Sequence, residues 1–267
     1  MEEIFFKSIS DMVLEFICNS EQKRTYVDIE KNIRKKTDFK RLLIKKAINN
    51  LIKNNEISYT YQFGNTYLEI SYNKPVRIGQ RVVLIPENRS FKSKSNDIVV
   101  KLQKGASFGT GAHPTTRLCL KGLEFIFDIN REFIHGLDMG TGSGVLAIAA
   151  KLMGTRKVYA TDIHEVAASE ARKNISINNI ENDIEVSLKN PDELGTKFSL
   201  IMANLRYPTL KELYKTFRKI SEQKSFLVLS GIREPEADEI IYKYKNYELL
   251  KRWDEGGWSG LVMVLAS

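Results

Sequence analysis

Hydrophobic positions change rhythm near Asn73-Lys74-Pro75-Val76, where a proline follows an alternating run. Before that point, Ile9, Met12, Val13, Phe16 and Ile17 recur at helical spacing, and so do Leu42, Leu43, Ala47, Leu51 and Ile52. A shorter helix is expected between them, near Val27–Ile33. Ile57, Tyr59, Tyr61 and Phe63 then alternate with polar residues, Gly64-Asn65 offers a turn, and Tyr67-Leu68-Glu69-Ile70 returns as a second strand. The pattern predicts three helices and a hairpin, a winged-helix-like module over residues 1–75.

Beyond about Arg77 the rhythm becomes strand, helix, strand, repeated, which predicts an α/β domain with a mostly parallel sheet covered on both faces. After connecting strands over residues 76–107, the main domain is expected over 108–267. Its strands are expected at Ile134–Asp138, Lys157–Asp162, Ile184–Leu188, Phe198–Asn204, Phe226–Ser230, Tyr247–Trp253 and Ser259–Leu265, with helices between the first five. Only Asp254-Glu255-Gly256-Gly257 separates the last two, so they should form an antiparallel hairpin.

A chain of 267 residues is long enough for such a domain and a small second one. Cys18 and Cys119 offer neither a disulfide framework nor metal-ligand spacing, which favours a reducing, cytoplasmic setting. The start Met1-Glu2-Glu3 has no basic leader, and the longest apolar stretch, around Val145–Met153, is broken by Lys151, so secretion and membrane insertion are not expected. The net charge of +8 changes the picture only through its distribution. Lys31, Arg34, Lys35, Lys36, Lys40, Arg41, Lys45, Lys46 and Lys53 are opposed locally by Asp38 alone. With Tyr59, Tyr61 and Tyr67 on the wing, this composition suits nucleic-acid phosphates; a merely solvated face is the other reading. Modules of this shape also serve as dimer or substrate-docking surfaces.

The densest chemistry lies in Asp138-Met139-Gly140-Thr141-Gly142-Ser143-Gly144, which joins an apolar strand to a helix beginning at Val145. Such a turn delivers backbone N–H groups to a ligand, and glycines allow close approach that a Cβ would block. The G-x-G-x-G spacing differs from the G-x-G-x-x-G of pyrophosphate-binding folds. It suits S-adenosyl-L-methionine, whose methionine carboxylate and amine occupy the equivalent place. Asp162 ends the next strand, where an acid can accept both hydroxyls of a free ribose. Asp138 has two readings: it receives N–H groups of the loop, or it orients the ligand amine. Upstream, Phe108-Gly109-Thr110-Gly111-Ala112-His113-Pro114-Thr115-Thr116 reads as a shaped loop before an amphipathic helix, or as a helix start capped by Thr115 or Thr116. His113, His135 and His164 lack the spacing of a metal site, so no metal is expected; His113 either approaches the cofactor loop or is structural. Seven strands closed by an antiparallel hairpin complete a Rossmann-like methyltransferase sheet, an α/β fold class in which the last strand runs antiparallel.

From about Arg77 to its end the sequence resembles the PrmA family, methyltransferases that modify a large-subunit ribosomal protein on lysine side-chain and N-terminal amines. The resemblance is carried by the Phe108–Thr116 loop, by Leu137–Ala150, by Ala160-Thr161-Asp162-Ile163, by Ala203-Asn204-Leu205 and by Leu229-Ser230-Gly231-Ile232. It implies that Thr116, Gly140, Asp162 and Asn204 contact the cofactor and that Asn204 sits beside the transferring methyl as the catalytic residue. Phe108, Thr110, Asp138, Gly142 and Gly144 complete the expected cofactor site, and a protein, ribosomal in that family, is the implied acceptor. Two stretches depart from the family. Its N-terminal module is ferredoxin-like, whereas residues before Asn73 read as helices and one hairpin. After Asn204 comes Leu205-Arg206-Tyr207-Pro208, not the N-P-P-Y of methyltransferases acting on nucleobases or glutamine amides. Tyr207 either lines the acceptor mouth or packs at a helix start with Pro208 in its first turn. Two other functions stay open: a nucleic-acid or small-molecule methyltransferase docked by the basic module, and a regulator that senses the cofactor without catalysis.

Overall fold

A computed structural model describes residues 2–18, 20, 23–62, 64–71, 75–103, 113–129 and 132–266. The chain divides into two compact units, Met1–Lys74 and Pro75–Ser267. Phe63, Asn73, Lys74 and the whole of 104–112 lie outside the described residues.

In the first unit, helices α1 (Glu2–Cys18), α2 (Tyr26–Lys36) and α3 (Arg41–Lys53) precede an antiparallel hairpin of β1 (Ile57–Gln62) and β2 (Asn65–Ile70). Helix α2 starts where Thr25 and Asp28 cap each other's backbone N–H groups, at 3.2 and 2.9 Å. Ile9, Val13, Ile29, Ile33, Ile44, Ile48 and Leu68 form the buried centre. Helix α3 turns Ile44, Ala47, Ile48 and Leu51 inward, while Leu42, expected on the buried face, is 63% exposed. The apolar residues of α3 encircle it, but one packed face covers a stripe only ~100° wide. Leu42 shares its side of the helix with Lys46 and Lys53, which keeps that side in water.

The second unit begins with a small sheet, β3 (Val76–Arg77), β4 (Val82–Pro86) and β5 (Ile98–Leu102), with β3–β4 antiparallel and β4–β5 parallel. The main sheet alternates with helices: α4 (Pro114–Ile129), β6 (Phe133–Met139), α5 (Val145–Met153), β7 (Thr155–Thr161), α6 (Glu165–Ile177), β8 (Ile184–Ser187), β9 (Phe198–Asn204), α7 (Tyr207–Ile220), β10 (Ser221–Arg233), α8 (Ala237–Lys243), β11 (Tyr247–Glu255) and β12 (Trp258–Leu265). Its order is β11-β12-β10-β9-β6-β7-β8, and β12 alone runs antiparallel to its neighbours. The expected helix between β8 and β9 is absent: that link holds only a 3₁₀ turn at Pro191–Glu193. Asn190-Pro191 forces extended backbone, and Gly195 at φ +70° ends the turn, so no helix can propagate between them.

Alternating side chains build two cores. Leu200 and Met202 of β9, Val228 of β10 and Val262 of β12 meet α4 and α5 on one face. Ile201, Ala203, Leu227, Leu229, Leu261 and Met263 meet α7 and α8 on the other. This period of two is what a sheet buried on both faces requires. Glu124 on α4 ties the small sheet to the large one, its buried carboxylate accepting the N–H groups of Gln80, Arg81 and Val82 at 2.9, 2.8 and 2.7 Å. Among the described residues, no helix is long and apolar enough to cross a membrane.

The chain goes outward from β6 through β7 to β8, then returns to β9 on the other side of β6. That reversal opens a crevice at the carboxyl ends of β6 and β9, where sheets of this kind bind ligands.

Candidate active site

Strand β6 delivers the chain to the crevice, and the turn that follows is made almost entirely of backbone. Gly140, Gly142 and Gly144 have φ of +71°, +56° and +82°. The N–H groups of Gly140 and Thr141 donate to the Thr161 carbonyl at the end of β7, at 2.8 and 2.9 Å. A Cβ on Gly140 would lie 2.5 Å from Leu205 Cδ2, so a side chain there would meet the segment following β9. Asp162 contacts this turn. Its Oδ2 accepts the Gly142 N–H and its Oδ1 the His164 N–H, both at 3.0 Å.

Asp138, one residue before the end of β6, is buried and accepts the Thr141 hydroxyl at 2.7 Å and the Ala147 N–H at 3.0 Å. It therefore braces the loop against the start of α5 through a loop hydroxyl and a helix N–H. Burial pushes its carboxyl up to about 6, against the opposing pull of the Thr141 and Ala147 hydrogen bonds.

On the other side of the crevice, Asn204 ends β9 and its amide donates to Thr116 Oγ1 at 3.4 Å. Thr116 is fully buried in the first turn of α4, with its N–H on the His113 carbonyl at 3.1 Å. His113 Nδ1 contacts the Thr115 hydroxyl at 2.8 Å, and its ring meets Trp258 edge-on with centroids 5.2 Å apart. Burial, then Arg117 and Arg233, lower its pKa to about 4, so the ring is neutral at physiological pH. Phe108 and Thr110 lie outside the described residues. Tyr207 opens α7 with Pro208 in the first turn, and its hydroxyl accepts from Lys211 Nζ at 2.9 Å, the arrangement of a helix start. Arg206 beside it is exposed.

Hydrogen bonds thus tie Asp162 to Gly142 and Asp138 to Thr141 of the same turn, and Thr116 to Asn204, while the Leu205 side chain, next in sequence to Asn204, reaches Gly140. Two residues that position these groups were given no role from the sequence, although Gly231 lies within one of the motifs that carry the family resemblance. Gly231 follows Ser230, whose carbonyl accepts the Leu205 N–H at 3.1 Å. With φ +85°, a Cβ on Gly231 would lie 2.2 Å from the Leu205 carbonyl oxygen. Asn174 on α6 is fully buried, donating to the Ser143 carbonyl of the glycine turn and accepting the Gln103 N–H, both at 2.8 Å. One helical turn on, Asn178 accepts the Lys101 N–H at 3.0 Å and donates to the Lys101 carbonyl at 2.8 Å. Two carboxamides at i and i+4 thereby stand in for a neighbouring strand along β5. Only the i, i+4 spacing of the two asparagines was visible beforehand, and spacing alone does not name their partners.

The sheet order, the antiparallel last strand and the glycine turn opposite an acid define a Rossmann-like methyltransferase fold. A family model described as ribosomal protein L11 methyltransferase (PrmA) matches residues 10–265, and the chain belongs to that family. The ribosomal protein L11 methyltransferase of Geotalea daltonii is 35% identical over 204 residues, covering 73% of this chain and 65% of that protein. Its counterpart in Thermoanaerobacter pseudethanolicus is 32% identical over 192 residues, covering 72% of this chain and 61% of the relative. The alignments therefore span slightly less than two thirds of these relatives' own lengths. The crystal structure of a ribosomal protein L11 methylase from Lactobacillus delbrueckii subsp. bulgaricus superposes with a TM-score of 0.66 at 25% identity, covering 74% of this chain and 100% of that chain.

Proposed function

We propose that the second unit is an S-adenosyl-L-methionine-dependent methyltransferase that methylates an amine nitrogen of a protein, with ribosomal protein L11, the substrate in its relatives' names, as the first acceptor to test. The observation that carries the reading is the contact of Asp162 with Gly142, which sets a carboxylate against a backbone-lined turn at the sheet's switch point. When bound, S-adenosyl-L-methionine supplies a methyl already activated on a sulfonium. The residues present fit it: Asp162 accepts one backbone N–H on each carboxylate oxygen, which leaves a lone pair on each for ribose hydroxyls, and Gly140, Gly142 and Gly144 turn the chain beside it at positive φ. Asp138, Gly142, Gly144 and Thr116 complete that side of the site, with Phe108 and Thr110 assigned to it on family resemblance.

The protein's remaining task is to align a nucleophile behind the methyl and to exclude water. A lysine or N-terminal amine must arrive unprotonated, and burial favours its neutral form. The Asn204 amide group is engaged by Thr116, which leaves its carbonyl to accept an N–H of the acceptor and point the amine lone pair. A ribosomal acceptor sets the reaction in the cytoplasm.

The test is methyl transfer to purified ribosomal protein L11, followed by intact mass. Transfer should occur, and Asn204→Ala should lower turnover by about 100-fold through misalignment, a far larger factor than its loss of affinity for S-adenosylhomocysteine. Unchanged turnover would remove Asn204 from the mechanism. Label that a nuclease releases, from a cell extract and labelled cofactor, would replace the protein acceptor with a nucleic acid.

A further inference from the structure

The first unit carries a concentration of charge that its own packing does not use. Helix α3 buries Ile44, Ala47, Ile48 and Leu51 on one side and exposes Arg41, Lys45, Lys46, Asn49, Asn50 and Lys53 on the other. Arg41 is held at 3.0 Å by Glu30 of α2. Lys45, Lys46 and Lys53 have no ion-pair partner among the described residues. No acid stands in the first turn of α3, where the helix dipole favours negative charge, yet Arg41 is there. A surface that only keeps a protein soluble mixes both signs, whereas this one presents a single sign along a helix roughly 20 Å long.

We infer that the exposed face of α3 docks the phosphate backbone of structured RNA. Lysine and arginine are the side chains that meet phosphate oxygens. The Asn49 and Asn50 carboxamides, each both donor and acceptor, match the 2′-hydroxyl that distinguishes RNA from DNA. The choice of RNA over DNA rests on those exposed carboxamides, and the match between a cationic face and phosphate does not depend on the methyltransferase reading. The two sets of residues then divide the work. On the proposed function the second unit performs the chemistry, and the first unit holds the enzyme against RNA.

The test uses the full chain and a fluorescent RNA stem-loop, with anisotropy read across a salt series. The combined Lys45→Glu, Lys46→Glu and Lys53→Glu variant should bind at least about tenfold more weakly and lower the slope of log affinity against log salt by about three. A control carrying Lys173→Glu, Lys215→Glu and Lys245→Glu, all exposed on the second unit, makes the same change in net charge and should stay within about twofold of the parent. Circular dichroism and S-adenosylhomocysteine affinity should be unchanged in both. If the first variant folds poorly, Lys45→Gln, Lys46→Gln and Lys53→Gln should show the same loss in a folded protein. Equal losses in both variants, or binding insensitive to salt, overturn the assignment. So does equal or tighter binding of a DNA duplex of the same sequence or of polyglutamate. RNA binding without S-adenosylhomocysteine binding would contradict the methyltransferase reading and keep the docking face; the reverse result would remove the docking face alone.

Discussion

The two units use their polar residues in opposite ways. In the second, polar groups around the crevice are drawn into the interior and given fixed partners: Asp138 with Thr141 and Ala147, Asn174 with Ser143 and Gln103, Thr116 with Asn204. In the first, Lys45, Lys46 and Lys53 stand in solvent without ion-pair partners among the described residues. Methyl transfer, the function proposed for the second unit, depends on direction, so its residues must be held to a fraction of an ångström. Attraction to a polyanion, the role proposed for the first, depends on the density of charge, so long exposed side chains serve. Substitutions in the second unit should therefore be costly and specific, and those on α3 inexpensive for stability.

The largest effect is expected at Gly231. Gly231→Ala forces a Cβ to within 2.2 Å of the Leu205 carbonyl at a positive φ, and the sum of strain and overpacking should cost about 3 kcal/mol or more. Thermal unfolding would show it, and an unchanged melting temperature would mean that the Leu205–Gly231 packing is wrong. Next comes Asp138. Its folded pKa, about 6, lies above the ordinary 3.8 because burial dominates. A raised carboxyl pKa contributes stability that is complete below the unfolded value and lost as pH rises through the folded one. Relative to the parent, Asp138→Asn should therefore gain stability as pH rises from about 4 to 7, on the order of 2 kcal/mol in all, read as urea midpoints. A pH-independent difference would show that Asp138 does not titrate in this range. The smallest effect belongs to the α3 triple variant, whose stability should shift by no more than about 0.5 kcal/mol per site. A large loss there would erase the contrast between the units.

Much of the second unit was legible because its signals are local. Seven apolar runs of strand length, a glycine turn between strand and helix, and an acid ending the next strand each need only a few neighbouring residues. The antiparallel hairpin was legible from Asp254-Glu255-Gly256-Gly257 because so short a link permits no crossover. What stayed hidden is tertiary. Gly231 matters because the Leu205 backbone crosses it from the end of another strand, and Asn174 because its two partners lie 71 and 31 positions away. The helix wrongly expected between β8 and β9 shows the reverse failure, an alternation assumed to continue where Pro191 and Gly195 break it. On α3, apolar residues on all sides left the inward face undecided until Ile44 and Ile48 met the other helices.

The central claim is that the crevice over the glycine turn is the cofactor site, and calorimetric titration of S-adenosylhomocysteine tests it most directly. The full chain should bind at one site, and Asp162→Ala should weaken binding by roughly 10- to 100-fold, the worth of charge-assisted hydrogen bonds to the ribose. Equal affinity in Asp162→Ala, or no binding by the parent, would contradict it.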